Sequence, residues 1–155
     1  MNDENNNPTG KIETFEAENV LIATGGRPFI PDIKGSEFAL TSSDVLQLDE
    51  VPEKLNIIGG GIIAAELSNI FSSFGSNVKV IARSKVLKEI DEEFKGYLLE
   101  KFLGDVEFLE DTDVLEIKEN SVVTSKGEFE GKTLIATGRV PNSEIVEGIV
   151  ELNDD

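Results

Sequence analysis

Residues 55–84 read LNIIGGGIIAAELSNIFSSFGSNVKVIARS, and this stretch decides the fold. Leu55 to Ile58 is a short apolar run that reads as a buried strand, and Gly59-Gly60-Gly61 follows at once. From Ile62 to Phe74 the residues Ile63, Leu67, Ile70, Phe71 and Phe74 recur at helical spacing and fall on one face. Gly75 supplies the left-handed residue that ends such a helix. Asn77 to Ala82 (NVKVIA) is a second strand. Downstream, Asp91 to Leu103 predicts a second helix, with Phe94, Tyr97, Leu98 and Phe102 on one face and Asp91, Glu92 and Glu93 at its N-terminus. Asp105 to Leu109 is a third strand. The order β-α-β-α-β calls for a parallel sheet with right-handed crossovers.

Beyond Glu110 the pattern changes. Val114 to Lys118, Ser121 to Ser125 and Glu128 to Phe129 are short alternating pieces joined at Glu119-Asn120 and Lys126-Gly127, which predicts an antiparallel meander. Lys132 to Thr137 (KTLIAT) is a buried strand ending at Gly138, and the tail from Asn142 is acidic with no terminating element. Upstream, residues 1–10 are polar and read as a flexible end or hairpin tip. Lys11 to Glu16 alternates weakly, and Asn19 to Thr24 (NVLIAT) reads as a buried strand. Pro28 and Pro31 keep the next segment extended. Ser42 or Ser43 caps a short helix through Leu48, with Asp44 in its first turn. The pentapeptide LIATG occurs twice, at Leu21–Gly25 and Leu134–Gly138, on either side of the β-α-β-α-β block. The intervening sequence is unique, so this is not a solenoid repeat.

Gly59-x-Gly61-x-x-Ala64 follows a strand and opens a helix, the context in which a dinucleotide pyrophosphate is bound. The first glycine allows a tight turn, the second lets the backbone approach the phosphates, and the third position must be small for helix and strand to pack. The helix N-terminus adds unpaired N–H groups and partial positive charge. The other reading of these glycines is a tightened turn in an unrelated α/β domain. The fold class is therefore α/β, a Rossmann-like three-layer domain with a parallel sheet and an added antiparallel meander. At the end of the second strand, where an NAD-specific site carries a carboxylate for the ribose 2′-hydroxyl, the chain has Ala82, followed by Arg83, Ser84, Lys85 and Lys88. A carboxylate would repel a 2′-phosphate, whereas arginine can hold it with two hydrogen bonds. NADP is thus favoured over NAD; the alternative is that Arg83 and Lys88 are ordinary solvated charges.

Composition narrows the chemistry further. The 155 residues carry 14 Lys+Arg against 31 Asp+Glu, a net charge of −17, which disfavours nucleic acid and anionic membrane surfaces as partners. There is no cysteine and no histidine, so thiol catalysis, thiolate metal sites and a Ser-His-Asp triad are excluded within this chain. No apolar run approaches a membrane span and no targeting peptide is visible, so a cytoplasmic location is expected.

Four stretches, NVLIATGGRPFIP, Ser43-Asp44, residues 57–84 and TLIATGRVPN, resemble the FAD-dependent pyridine nucleotide-disulfide oxidoreductases, the family of dihydrolipoamide dehydrogenase, glutathione reductase and mercuric reductase. The resemblance runs from about Lys11 to Ser143. It implies an NAD(P)H-binding domain inserted into a split FAD-binding domain. Residues 1–50 would then be the last FAD-domain strands and a linker, 51–131 the NAD(P)H domain, and 132–155 the return strand and an acidic tail. It further implies that Gly59, Gly61 and Ile63, with Gly60 in the turn between, cradle the pyrophosphate and riboses. Glu66 would lie near the flavin, and Ile62 would stand where several members carry a tyrosine gating the nicotinamide. Gly138 would set its backbone against the nicotinamide, and Thr24, Gly25 and Arg139 would touch FAD in a full-length homodimeric parent. The family's N-terminal FAD fingerprint, its Cys-x4-Cys, its Gly-Asp flavin motif and its C-terminal interface domain with a His-Glu pair are not in this sequence. The expectation is an excised middle segment that seats the hydride donor and catalyses nothing alone. The alternatives are the same domain from an NADH oxidase or ferredoxin reductase type of flavoprotein, or a stand-alone acidic interaction module.

Overall fold

The computed structural model describes residues 14–149. The strands in chain order are β1 (Gly26–Pro28), β2 (Leu40–Thr41), β3 (Lys54–Ile58), β4 (Asn77–Ile81), β5 (Glu107–Leu109), β6 (Val114–Lys118), β7 (Ser121–Thr124), β8 (Gly127–Glu130), β9 (Lys132–Ile135) and β10 (Arg139–Pro141). Helix α1 (Ile62–Ser73) follows β3, and α2 (Glu92–Lys101) lies between β4 and β5. One five-stranded sheet has the order β2-β9-β3-β4-β5, with every pairing parallel. β6, β7 and β8 form the antiparallel meander, and β1 pairs with β10 as a two-stranded ribbon.

Alternation along the central strands divides the core into two layers. Leu55, Ile57, Val78, Val80 and Leu134 turn to the side covered by Ala64, Leu67 and Phe71 of α1. Ile58, Ile81 and Ile135 turn to the other side, where Ile117 and Val122 of the meander cover them. The expected α/β three-layer arrangement is the observed one, and a strand buried on both faces reads as a continuous apolar run for this reason. Helix α1 ends in a Schellman motif: Ser76 N–H reaches the Phe71 carbonyl at 3.0 Å, Gly75 N–H reaches the Ser72 carbonyl at 2.9 Å, and Gly75 has φ +92°.

Several expectations are corrected. On α1, Ile70 and Phe74 are exposed while Ala64 and Ser68 are buried, because small side chains let the helix lie close to β3 and β4. On α2, Phe94, Tyr97 and Phe102 remain about half exposed, and Leu99 with Leu103 packs toward the core instead. Neither Ser42 nor Ser43 caps the short turn of 3-10 helix at Val45–Gln47. Asp44 organises that corner, its carboxylate accepting both the backbone N–H and the hydroxyl of Thr41 at 2.8 and 2.7 Å. Among the described residues the acidic tail does carry an element, a 3-10 turn at Glu144–Val146 with Val146 buried.

The two LIATG copies part company. Leu134-Ile135 lies in β9, between β2 and β3, so Lys132–Ile135 is an interior strand of this sheet rather than a strand leading away from it. Together with β2 it forms one flank of the five-stranded sheet. Asn19–Thr24 forms no strand and exposes Val20, Leu21 and Ile22, since no strand among the described residues lies alongside to hydrogen-bond it. The weak strand expected at 11–16 falls partly outside the described residues, and Thr14 to Glu16 is irregular. Identical side chains therefore make opposite contributions: Leu134 is 0% exposed and Leu21 is 89% exposed. Leu134→Ala should destabilise the 155-residue chain by about 3 kcal/mol, whereas Leu21→Ala should be neutral to within about 0.5 kcal/mol, as read by urea denaturation of the two variants.

Candidate functional site

Strand order reverses at β3: the chain steps from β3 outward to β4 and β5, then returns through the meander to β9 on the opposite side of β3. In open parallel sheets such a reversal opens a crevice at the carboxyl ends of the strands. Gly59, Ala82 and Ala136 are the first residues past the ends of β3, β4 and β9 there.

The three glycines have three distinct environments. Gly59 has φ +134°, and a Cβ on it would stand 2.2 Å from the Ala136 carbonyl oxygen; its N–H donates to the Ile81 carbonyl at 2.9 Å. Only glycine can make this crossing. Gly60 is packed against Ala82 and Val86, with 3.1 Å from its would-be Cβ to the Ala82 methyl. Gly61 has φ −89° and caps α1, and a Cβ on it would meet nothing within 4 Å. The space above Gly61 is open, so it is the glycine whose bareness favours the approach of a ligand.

The first α-helical bond runs from Ala65 N–H to the Gly61 carbonyl, so the N–H groups of Gly61, Ile62, Ile63 and Ala64 have no helical acceptor. No side chain caps this end and no acid lies in its first turn. Helix α2 is the contrast: the Asp91 carboxylate accepts the N–H groups of Glu93 and Phe94 at 3.0 and 3.3 Å, and Glu92 and Glu93 occupy its first turn. The start of α1 retains its donors for an anion, and the start of α2 is filled by its own carboxylates. A pyrophosphate fits the observed cradle at Gly61.

The remaining expected residues fall into place unevenly. Ile62 is 59% exposed and borders a 350 Å³ groove with Glu66, Leu87, Phe94 and Phe102, while Ile63 leans into the core. Ala82 is buried, so its role is to admit Gly60, and the exposed residues at this corner are Arg83, Ser84, Lys85, Lys88 and Glu89. Arg83 and Lys88 make no ion pair or hydrogen bond among the described residues. Lys85 does not join them: its ammonium is held by Glu110 at 2.7 Å and Asp111 at 3.3 Å. Gly138, with φ +128°, is exposed just past β9, and its carbonyl accepts Phe29 N–H at 2.9 Å. Thr24 and Gly25 precede β1 and Arg139 opens β10, and each makes a contact across the β1–β10 ribbon. The Thr24 hydroxyl donates to the Asn142 carbonyl at 2.6 Å, the Gly25 carbonyl accepts Asn142 N–H at 2.9 Å, and the Arg139 guanidinium donates to the Gly26 carbonyl.

Glu110 is the residue the sequence reading passed over. It follows β5, and its two oxygens hold Val86 N–H at 2.9 Å and Lys85 at 2.7 Å. The Lys85 ammonium first, and the Val86 amide second, hold its carboxyl below the usual range. That contribution is present above the unfolded value near 4.5 and is lost as pH falls through the lowered one. The signal in the sequence was an acid pair, Glu110-Asp111, placed where a third parallel strand must end beside the basic loop. The glycine environments separate folding from binding. Gly59→Ala should cost about 3 kcal/mol of stability, while Gly61→Ala should keep the fold and lose dinucleotide affinity; thermal melts and a fluorescence titration of each variant would check this.

Comparisons with known proteins agree with this geometry. The family model described as pyridine nucleotide-disulphide oxidoreductase matches residues 2–155. The chain is 40% identical over 144 residues to the chloroplastic/mitochondrial glutathione reductase of Pisum sativum, covering 87% of this chain and 26% of that protein. It is 32% identical over 155 residues to the dihydrolipoyl dehydrogenase of Vibrio parahaemolyticus, covering 90% of this chain and 32% of that one. Among solved structures, the Cu(II) complex of an HOCl-induced flavoprotein disulfide reductase from Escherichia coli superposes with a TM-score of 0.75 at 27% identity, covering 85% of this chain and 33% of that chain. An engineered water-forming NADPH oxidase bound to NADPH, a mutant of the Lactobacillus brevis NADH oxidase, superposes with a TM-score of 0.73 at 25% identity, covering 84% and 32%. The present chain thus spans about a third or less of the length of these proteins. With a match over nearly its whole length, the chain belongs to the pyridine nucleotide-disulphide oxidoreductase family.

Proposed function

We propose that this chain is the NAD(P)H-binding part of a flavoprotein of that family, and that it binds NADPH in preference to NADH. The observation that carries the reading is the open start of α1 beside Gly61, with four unpaired amides and no competing carboxylate. The pyrophosphate sits on the N–H groups of Gly61, Ile62, Ile63 and Ala64. Arg83 and Lys88 grip the 2′-phosphate, and Ile62, as an exposed aliphatic, leaves the nicotinamide side less tightly gated than an aromatic would. Bound NADPH supplies the hydride, which in the whole protein goes to FAD held by chain outside these residues. This chain contributes seating and orientation, and without cysteine or histidine it offers no thiol relay and no imidazole acid–base group of its own. Taken by itself it is catalytically inactive. The exposed apolar run Val20–Ile22 is a surface for the FAD-binding part, and Glu66, exposed on α1, faces the flavin side. The whole protein is a cytoplasmic homodimer; among the described residues no helix is long and apolar enough to cross a membrane.

The preference for NADPH has support beyond Arg83. The five substitutions named for the engineered NADPH oxidase install Ala, Ala, Arg, Ser and Arg, the last four lying 18, 19, 20 and 25 residues beyond the first. At the same spacing this chain carries Ala64, Ala82, Arg83 and Ser84, with Glu89 at the fifth position and Lys88 just before it. The parent oxidase is described as bound to NADH. The superposition on that oxidase favours one second reading, an oxidase-type flavoprotein without a redox disulfide, which the cysteine content of the whole protein would decide.

Titration of the 155-residue chain with each dinucleotide tests the proposal. NADPH should bind about tenfold or more tightly than NADH, and Arg83→Ala should remove most of that difference, since a charge-assisted contact is worth about 1.5–3 kcal/mol. A folded chain that binds neither at millimolar concentration would refute it.

A further inference from the structure

The two cations on which NADPH preference depends sit on the loop between β4 and α2, and the shape of that loop is set from outside it. Two consecutive amides are held from opposite sources. Val86 N–H donates to Glu110 Oε1 at 2.9 Å, and Leu87 N–H donates to the Gly60 carbonyl at 2.6 Å. Leu87 is 5% exposed and has φ +49°, a conformation that a leucine holds only when its surroundings enforce it. Asp111, which shares the hold on Lys85, also has φ +49°. The loop then reverses, with Ile90 N–H on the Leu87 carbonyl at 3.0 Å. Glu110 is itself fixed, because Lys126 Nζ donates to its carbonyl at 2.6 Å and the Thr112 hydroxyl donates to the same oxygen at 2.9 Å.

The charge arithmetic of the loop follows. Arg83, Lys85 and Lys88 are its cations and Glu89 and Asp91 its acids, Asp91 being committed to the start of α2. Lys85 is paired with Glu110 and Asp111, so Arg83 and Lys88, one on each side of the pinned Val86-Leu87 pair, are the loop's cations without an ion pair among the described residues. A doubly charged 2′-phosphate is recognised by cations held at fixed separation, and the pinned pair sets that separation.

We propose that Glu110 is a positioning residue for cofactor selection: by fixing the Val86 amide it presents Arg83 and Lys88 to the 2′-phosphate of the dinucleotide. This rests on the NADPH reading above. Glu110 does not touch the cofactor. Its removal lowers NADPH affinity through the loop and leaves NADH, which lacks the 2′-phosphate, nearly unaffected. A residue that merely stabilised the fold would weaken both alike.

The experiment measures dissociation constants of NADPH and NADH for the 155-residue chain, Glu110→Ala, Glu110→Gln and Lys85→Met, with a thermal melt of each. Glu110→Ala should lower the NADPH-to-NADH affinity ratio about tenfold with NADH binding within about twofold of the unmodified chain. Glu110→Gln keeps an acceptor for Val86 N–H and should lose about threefold. Lys85→Met, which removes a cation already paired, should leave the ratio within about twofold. A preference for NADPH in the unmodified chain that Glu110→Ala leaves unchanged, or a parallel loss of both affinities, overturns this proposal alone. No preference in the unmodified chain overturns it together with the NADPH reading. If Glu110→Ala fails to fold, an unchanged ratio in folded Glu110→Gln overturns it.

Discussion

The carbonyl oxygen of Ala136 occupies the place that a side chain on residue 59 would need, 2.2 Å from its Cβ position. Much of the molecule is arranged around that crossing. It brings the end of β9 against the end of β3, which lets β9 pair with β3 on the side away from β4. That pairing reverses the strand order. The chain must then turn sharply into α1 through Gly60 and Gly61, and the turn leaves the first amides of the helix without partners. A buried parallel pairing and an exposed anion cradle are thus two results of one close approach.

The same corner carries the loop proposed to read the ribose. Gly60 can accept Leu87 N–H because its lack of a side chain lets Val86 and Ala82 lie against it. Ala82 is small for this packing reason, and the absence of a carboxylate there removes a repulsion from any 2′-phosphate. Packing and specificity make the same demand on this position. The α1–α2 groove, with Ile62, Phe94 and Phe102 on its rim, continues from this corner across the helices.

The β-α-β-α-β core was legible in the sequence because its signals are local: short β-branched runs, a helical period, and glycine where the backbone must turn left. What the sequence hid depends on contacts between distant segments. β2 is two residues long and has no period to detect. The β1–β10 ribbon contains prolines and is held by polar reciprocity, with Asn142 bonding Thr24 and Arg27. LIATG misled the strand reading because five identical residues carry no record of what lies beside them. At the site, the glycines announced themselves, whereas Glu110 is an ordinary acid until β5 is laid beside β4 and its carboxylate meets Val86.

The most direct measurement is an amide chemical-shift map of the isotopically labelled 155-residue chain as NADPH is added. The account predicts the largest changes at Gly60 to Ala64 and at Arg83 to Lys88, and little change in the meander. Shifts confined to the meander face or to the β1–β10 ribbon, with the Gly61–Ala64 amides unmoved at saturation, would contradict it.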